Sequence, residues 1–275
     1  MSRVKIVILL VFLLVCLIFA SGNVFASGSN EDNILDRAVK QFYYDGKNLF
    51  LSPFHWEKKE RLEFLAIASV TAGLFLADEE LQKVAQRNRS DFSDDLARLV
   101  TPSEHIYPTF VIGSFYLGGL IFNRKKEKDT AWYLLEAVMF TQGITQVIKY
   151  SVGRARPFED KGAYHFEGFR THPSSYSLSF PSGHASTAFS LASVIAEQYD
   201  NRLIDWAAYG LAFLAAWARV NDNVHFTSDV FFGGILGTWV GKTIVKLNKN
   251  KNTESKDLSL QPRIGLNSIE VSLSF

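Results

Sequence analysis

Six apolar stretches of helical length set what this chain can fold into: Phe64–Ala77, Phe110–Phe122, Ala131–Ile148, Ala185–Ile195, Trp206–Val220 and Val230–Val245. They are rich in Ala, Gly, Leu and Phe, and their lengths suit helices better than strands. Each helix must bury an apolar face against another, so the expected fold is an all-α helical bundle of about six core helices. None of the six is a clean run of about 20 apolar residues, the length a spanning helix requires. Glu136 and Gln142 interrupt the third, Asp205 borders the fifth and Lys242 sits in the sixth. Basic clusters at Arg124, Lys125, Lys126 and Lys128, and at Lys242, Lys246, Lys249 and Lys251, nevertheless fall where the positive-inside rule would put two cytoplasmic ends. A spanning bundle and a bundle lying on the membrane both remain open.

The ends of the chain differ from its middle. Arg3 and Lys5 precede the apolar run Ile6–Ala20, and Val24-Phe25-Ala26 follows it, so residues 1–26 have the layout of a secretory signal. An uncleaved membrane anchor is the alternative, and either implies export. Cleavage would leave the new N-terminus outside and invert the topology drawn from the basic clusters. Cys16, the single cysteine, lies in this segment, so a mature chain has no thiol chemistry and no disulfide.

Residues 27–62, with Lys58, Lys59 and Arg61 beside Trp56, read as an amphipathic, interfacial segment. Residues 63–247 hold the helical domain. Residues 248–275 read as a polar linker, Asn248–Asp257, followed by a strand. The run Ile269-Glu270-Val271-Ser272-Leu273-Ser274-Phe275 alternates strictly, which predicts a half-buried strand. A short C-terminal β-hairpin is expected, with Leu258–Leu260 as the partner across Pro262–Asn267. The formal net charge of +1 lacks the basic footprint of a nucleic-acid binder.

Three short blocks carry chemistry. The first, Lys149-Tyr150-Ser151-Val152-Gly153-Arg154-Ala155-Arg156-Pro157, puts Lys149 and Arg156 about two helical turns apart, on one face if the helix continues. Pro157 stops it near there. In the second, Phe180-Pro181-Ser182-Gly183-His184, Ser182 is a helix N-cap and Gly183 lets a ligand approach the backbone. Free amides at such a helix start favour an anion, with His184 at the rim. The third runs from Arg219 through Asp222 and His225 to Asp229. Spacing of i,i+4 brings the Asp229 carboxylate beside the His225 imidazole if a helix begins here, and Arg219 adds a guanidinium fork for phosphate oxygens.

Taken together, Lys-x6-Arg-Pro, Pro-Ser-Gly-His and Arg-x5-His-x3-Asp resemble the three-part signature of the type 2 phosphatidic acid phosphatase and vanadium haloperoxidase superfamily. The resemblance spans Lys149 to Asp229. It implies a helical core, a nucleophilic His225 that forms a phosphohistidine, and Asp229 as its orienter. His184 is then the general acid that protonates the leaving alkoxide and later the base that activates water. Lys149, Arg156 and Arg219, with Ser182 and the Gly183 amide, hold the equatorial phosphate oxygens. Three cations stand where other phosphatases use a metal, so no metal and no cofactor are expected. One departure is Ala218, where the family usually has Ser before the Arg; the missing hydroxyl removes about 1 kcal/mol of hydrogen bonding.

The implied activity is hydrolysis of a phosphate monoester or diphosphate, of a membrane lipid in the first instance. A soluble-type periplasmic acid phosphatase acting on small phosphate esters is the alternative. A vanadium haloperoxidase and a non-catalytic relative rank lower. The implied location is the inner membrane with a periplasm-facing site, or else the soluble periplasm, and nothing points to an obligate protein partner. His55, His105, His165 and His172 have no comparable acid or base at helical spacing, as His225 has in Asp229. The loop Phe158–Phe180, with Tyr164, Phe166, Phe169, Arg170 and Tyr176, is expected to shape substrate access.

Overall fold

The computed structural model describes residues 31–101, 106–169, 178–257, 260–265 and 268–273. The expected signal, residues 1–26, lies outside them, as do His105, Arg170, His172 and Tyr176. Helix α1 (Glu31–Leu51) belongs to a compact unit that ends at Leu51, and Ser52 opens a second unit. In that second unit a 3-10 turn (Ser52–His55) leads to α2 (Lys58–Arg87), α3 (Asp91–Val100), α4 (Ile106–Ile121) and α5 (Lys125–Val152). A second 3-10 turn (Pro157–Glu159) precedes α6 (Gly183–Tyr199), α7 (Arg202–Asn221) and α8 (Thr227–Asp257). The hairpin β1 (Leu260–Gly265) and β2 (Ser268–Leu273) closes the chain.

The six apolar stretches fall in α2 and α4 to α8, and the fold is the expected all-α bundle. Local chemistry sets the helix starts. Glu57 and Glu60 form a reciprocal capping box on α2, in which the Glu57 amide donates to Glu60 Oε2 at 2.8 Å. Asn201 Oδ1 accepts the amides of Leu203 and Ile204 at the start of α7. Helix α3, which no apolar stretch announces, is held by a capping pair: the Ser93 amide donates to Ser90 Oγ at 3.2 Å. It packs on α7.

The centre of the bundle is α6, packed against α5, α7 and α8. Its approach to α8 is unusually close because both faces are small. Gly233, Gly237 and Gly241 recur every fourth residue on α8 and meet Ser182, Ser186, Ser190 and Ser193 of the facing segment. A Cβ at Gly237 would lie 2.0 Å from the Ser186 carbonyl oxygen. Ser186 and Ser193 donate to carbonyls of their own helix, Ser182 O at 2.8 Å and Ser190 O at 3.0 Å, so these buried hydroxyls need no partner across the seam. Backbones brought this near gain contact along the whole stripe, as in small-residue helix pairs of membrane proteins.

Two features at the C-terminus correct the sequence expectation. Asn248–Asp257, expected as a linker, continues α8. No proline or glycine follows Gly241 until Pro262, so nothing breaks the helix. Asn248 Nδ2 also reaches Glu136 Oε2 of α5 at 3.3 Å. The hairpin is present, but Pro262–Gly265, expected in its turn, lie in the first strand, Leu260–Gly265, paired in antiparallel register from Leu260↔Leu273 to Gly265↔Ser268; Leu258 lies outside the described residues. The link is therefore two residues, the length that a twisted hairpin favours.

Two helical segments, Arg202–Asn221 and Thr227–Lys249, are long and apolar enough to cross a membrane. Helix boundaries extend each beyond its apolar stretch. Apolar side chains also face outward: Leu65 and Leu76 on α2, Phe110 and Ile121 on α4, and Leu203, Trp206 and Phe213 on α7 are all exposed.

Candidate active site

Helix α5 delivers the first block and ends early. Gly153 adopts a left-handed conformation (φ 61°), and its amide returns to the Lys149 carbonyl at 2.9 Å. A Cβ there would meet the Gly168 carbonyl oxygen at 2.6 Å, so glycine is required by both φ and space. Helix α5 therefore stops at Val152, and Arg156 does not share its face with Lys149; it caps the 3-10 turn that follows. In between, the backbone is laced to the 158–180 loop: Ala155 N to His165 O at 3.0 Å, Glu167 N to Gly153 O at 2.8 Å and Ser179 N to Arg154 O at 2.9 Å. Lys149 is buried and donates to Leu178 O at 2.6 Å.

The second block opens α6 as expected. Ser182 is the N-cap, its Oγ accepting the Ala185 amide at 3.4 Å. Its own amide donates to the Asp229 carbonyl at 3.0 Å, which ties the start of α6 to the start of α8. Gln142 Nε2 of α5 donates to the Gly183 carbonyl at 3.3 Å. His184, in the first turn of α6, is partly exposed, and its carbonyl accepts from Tyr107 Oη of α4 at 3.2 Å.

The third block bridges α7 and α8. His225 precedes α8, 3% exposed, with its amide on the Arg219 carbonyl at 3.2 Å. The Asp229 carboxylate lies beside the ring, with Oδ2 at 3.7 Å from Nδ1. That is adjacent but beyond hydrogen-bond length, and Nδ1 has no other partner. Burial pushes the imidazole down to about 3, and the charges of Lys149 and Arg156 act in the same direction against the opposing pull of Asp229. His225 is therefore neutral across the physiological range, the form in which a ring nitrogen is nucleophilic.

Asp229 is fixed by groups other than His225. Its Oδ1 accepts from Arg154 Nη1 at 2.6 Å, and its Oδ2 accepts from Ser179 Oγ at 2.6 Å and the Phe226 amide at 2.8 Å. Arg154 is fully buried and also donates to Asp78 Oδ2 of α2 at 2.8 Å and to the Ala163 carbonyl at 3.0 Å. Arg219 Nη2 pairs with Asp222 Oδ2 at 2.5 Å and donates to Thr101 Oγ1.

The structure thus gathers His225, Asp229, Ser182 and Lys149, with Arg156 within electrostatic reach of His225. Arg219 joins through its carbonyl while its guanidinium is held by Asp222. Asp78, Arg154, Ser179 and Ser228 are additions that motif spacing does not reveal. Arg154 stands inside the first block, but Asp78 is 150 residues from its partner Ser228. Among the described residues no group of three or more His, Cys, Asp or Glu side chains could hold a metal ion.

A lipid A 1-phosphatase of Rhizobium johnstonii is 34% identical over 114 residues, covering 39% of this chain and 43% of that protein. A PA-phosphatase related-family protein of Dictyostelium discoideum is 29% identical over 161 residues, 53% of this chain and 58% of that one. The aligned part is thus about half the length of each of these relatives. In fold, the chain is similar to a transmembrane PAP2 type phosphatidylglycerolphosphate phosphatase from Bacillus subtilis, with a TM-score of 0.51 and 22% identity over 75% of this chain and 97% of that one. Residues 130–253 match the PAP2 superfamily. That segment, a little under half of the chain, holds all three blocks.

Proposed function

We propose that the protein is a phosphatase that hydrolyses a phosphate monoester or diphosphate of a membrane lipid through a phosphohistidine intermediate, without a metal ion. The observation that carries this is His225, buried, neutral and backed by the Asp229 carboxylate inside the segment that matches the PAP2 superfamily. Nε2 of His225 attacks phosphorus in line with the leaving oxygen. Asp229 selects the tautomer protonated on Nδ1, and the 3.7 Å separation closes as the ring gains charge. His184 protonates the departing alkoxide and then takes a proton from the water that hydrolyses the P–N bond. Lys149, Arg156 and Arg219 neutralise the equatorial oxygens, Arg219 exchanging Asp222 for phosphate, with Ser182 and the Gly183 amide completing the cradle.

The lipid assignment rests on the outward apolar surface. Phe110 and Trp206 are 73% and 79% exposed, on α4 and α7, and a freely soluble enzyme gains nothing from such a surface. Acyl chains would cover it, with the phosphate directed at His225 and the site facing the periplasm. Names of relatives add lipid A 1-phosphate to the candidate substrates.

The test is phosphate release by purified protein from lipid A 1-phosphate, phosphatidic acid, phosphatidylglycerophosphate and a polyprenyl diphosphate, against a short-chain soluble ester, with and without chelator. Long-chain substrates should be hydrolysed faster, with part of the gain in kcat, because remote binding energy orients the phosphate. Equal efficiency on all substrates, in a protein recovered from the soluble periplasm, would replace this with the soluble phosphatase. Loss of activity on chelation, restored by a divalent ion, would refute the metal-free mechanism.

A further inference from the structure

We propose that Asp78, on α2, is a positioning residue for the reaction: acting through Arg154, it fixes the Asp229 carboxylate and leaves the buried cluster behind His225 with a net negative charge. This deepens the phosphatase reading and rests on it. Asp78, Arg154, Ser228 and Asp229 are all fully buried. Arg154 lies between the two carboxylates, 2.8 Å from Asp78 Oδ2 and 2.6 Å from Asp229 Oδ1. The rings of Phe75 and Phe226 lie 4.6 and 4.3 Å from its guanidinium carbon, and Phe166 lies at 5.9 Å, so the pair is walled from water by aromatic faces. Ser228 stitches the cluster to the start of α8: its amide donates to Asp78 Oδ1 at 2.9 Å, its hydroxyl bonds Asp78 Oδ2, and Arg154 Nη1 lies 2.8 Å from that hydroxyl.

Counting charge explains why two carboxylates are present. Arg154 with Asp229 alone would be a neutral pair, and a neutral pair is enough to cross-link two elements. Burial raises the Asp78 pKa while its bonds to Ser228 and Arg154 pull it down, and with both carboxylates ionised the cluster is −1. An uncompensated buried charge is costly, and a structural role does not call for it. The compensating charge comes with the reaction: when His225 Nε2 bonds to phosphorus, the ring becomes an imidazolium and the sum goes to zero. The charges of Lys149 and Arg156 oppose that positive ring. The carboxylate directly facing the ring is half neutralised by Arg154, so the surplus supplied by Asp78 is what the imidazolium meets. Asp78 touches neither substrate nor His225; its effect passes through Arg154 and Asp229.

The test is Asp78→Asn in the full chain, with Asp78→Glu beside it. The Asn variant should remain folded by circular dichroism and bind substrate with KM within about twofold. Its kcat should fall on the order of 30-fold, as loss of one unit charge across a guanidinium predicts. Inhibition by vanadate, which mimics the phosphoryl transition state on His225, should weaken by a similar factor. Asp78→Glu keeps the charge and should recover part of the turnover. A folded Asn variant with wild-type kcat overturns the proposal. So does a fall in kcat, KM performance and thermal stability together with vanadate inhibition unchanged, the pattern of a structural strut. If Asp78→Asn does not fold, Asp78→Glu decides: folded and active supports the charge role, whereas folded without turnover, or unfolded, overturns it. Wild-type protein without phosphatase activity, or a fully active His225→Ala, defeats the phosphatase reading itself and this inference with it.

Discussion

Replacing Gly237 by Ala should damage activity more than its distance from any catalytic group suggests. The added Cβ would stand 2.0 Å from the Ser186 carbonyl oxygen, 2.9 Å from its carbon and 2.9 Å from the Ser190 amide nitrogen. All three are backbone atoms of α6, so no rotamer change relieves the contact. Restoring ordinary contact at roughly 3.3 Å requires α8 to retreat from α6 by about 1 Å. Overpacking of this kind destabilises by about 1–3 kcal/mol, and the backbone nature of the clash puts Gly237→Ala at the upper end. The same retreat stretches the bond from the Ser182 amide to the Asp229 carbonyl, now 3.0 Å, and carries Asp229 and His225 away from the start of α6. A displacement of about 1 Å at reacting groups lowers turnover on the order of 100-fold. The assay is thermal unfolding in detergent together with kcat on a lipid phosphate. Gly210→Ala on α7 is the control, since its Cβ meets nothing within 4 Å and alanine favours a helix. Gly237→Ala with wild-type melting and turnover would refute the close-seam argument.

Other substitutions separate the roles within the site. His225→Ala should abolish turnover on every phosphate ester, whereas His184→Ala should keep residual activity on esters with stable leaving groups, because a good leaving alkoxide needs less protonation; a kinetic comparison over leaving groups reads this. His225 should also make the fold acid-sensitive. Its folded value is depressed to about 3 from 6.5, so below pH 6.5 the unfolded chain takes up a proton that the folded chain refuses. That contribution is intact above pH 6.5 and is lost at about 1.4 kcal/mol per unit as pH falls toward 3. Unfolding measured from pH 7 to 4 should therefore show a shallower decline for His225→Ala than for wild type, and equal slopes would contradict the buried neutral ring.

The helical bundle was legible because every core helix presents an apolar stretch, and burial of apolar area is non-directional enough for composition alone to signal it. What composition missed follows from other forces. Helix α3 is held by the Ser90–Ser93 capping pair and by polar contacts: Asp94 Oδ1 receives Arg89 Nε at 2.6 Å and Asn221 Nδ2 at 2.9 Å. No apolar run marks it. The extension of α8 through Asn248–Asp257 was hidden for the opposite reason, since a charged sequence without helix breakers looks the same in a linker and in an exposed helix. The Gly233–Gly237–Gly241 stripe is visible in the sequence, but its meaning depends on the serines of α6 that face it.

The site divides along a similar line. Residues proposed to meet the phosphate come in short blocks because a ligand-facing constellation is built from turns and helix ends, where local spacing decides which groups converge. Ser182 capping α6 and His225 four residues before Asp229 are of this kind. Residues that hold those groups in place obey no spacing rule. Asp78 meets Ser228 and Arg154 only because α2 packs against α8, so a contact spanning 150 residues cannot be read from either neighbourhood. The same distinction accounts for the geometry of the first block. Lys149 and Arg156 share a helical face only if the helix continues, and Gly153 turns the chain left-handed after Val152, where Arg154 is buried. An unbroken helix to Pro157 would have carried Arg154 round with α5. The early stop lets a fully buried guanidinium link α2 to the carboxylate behind His225.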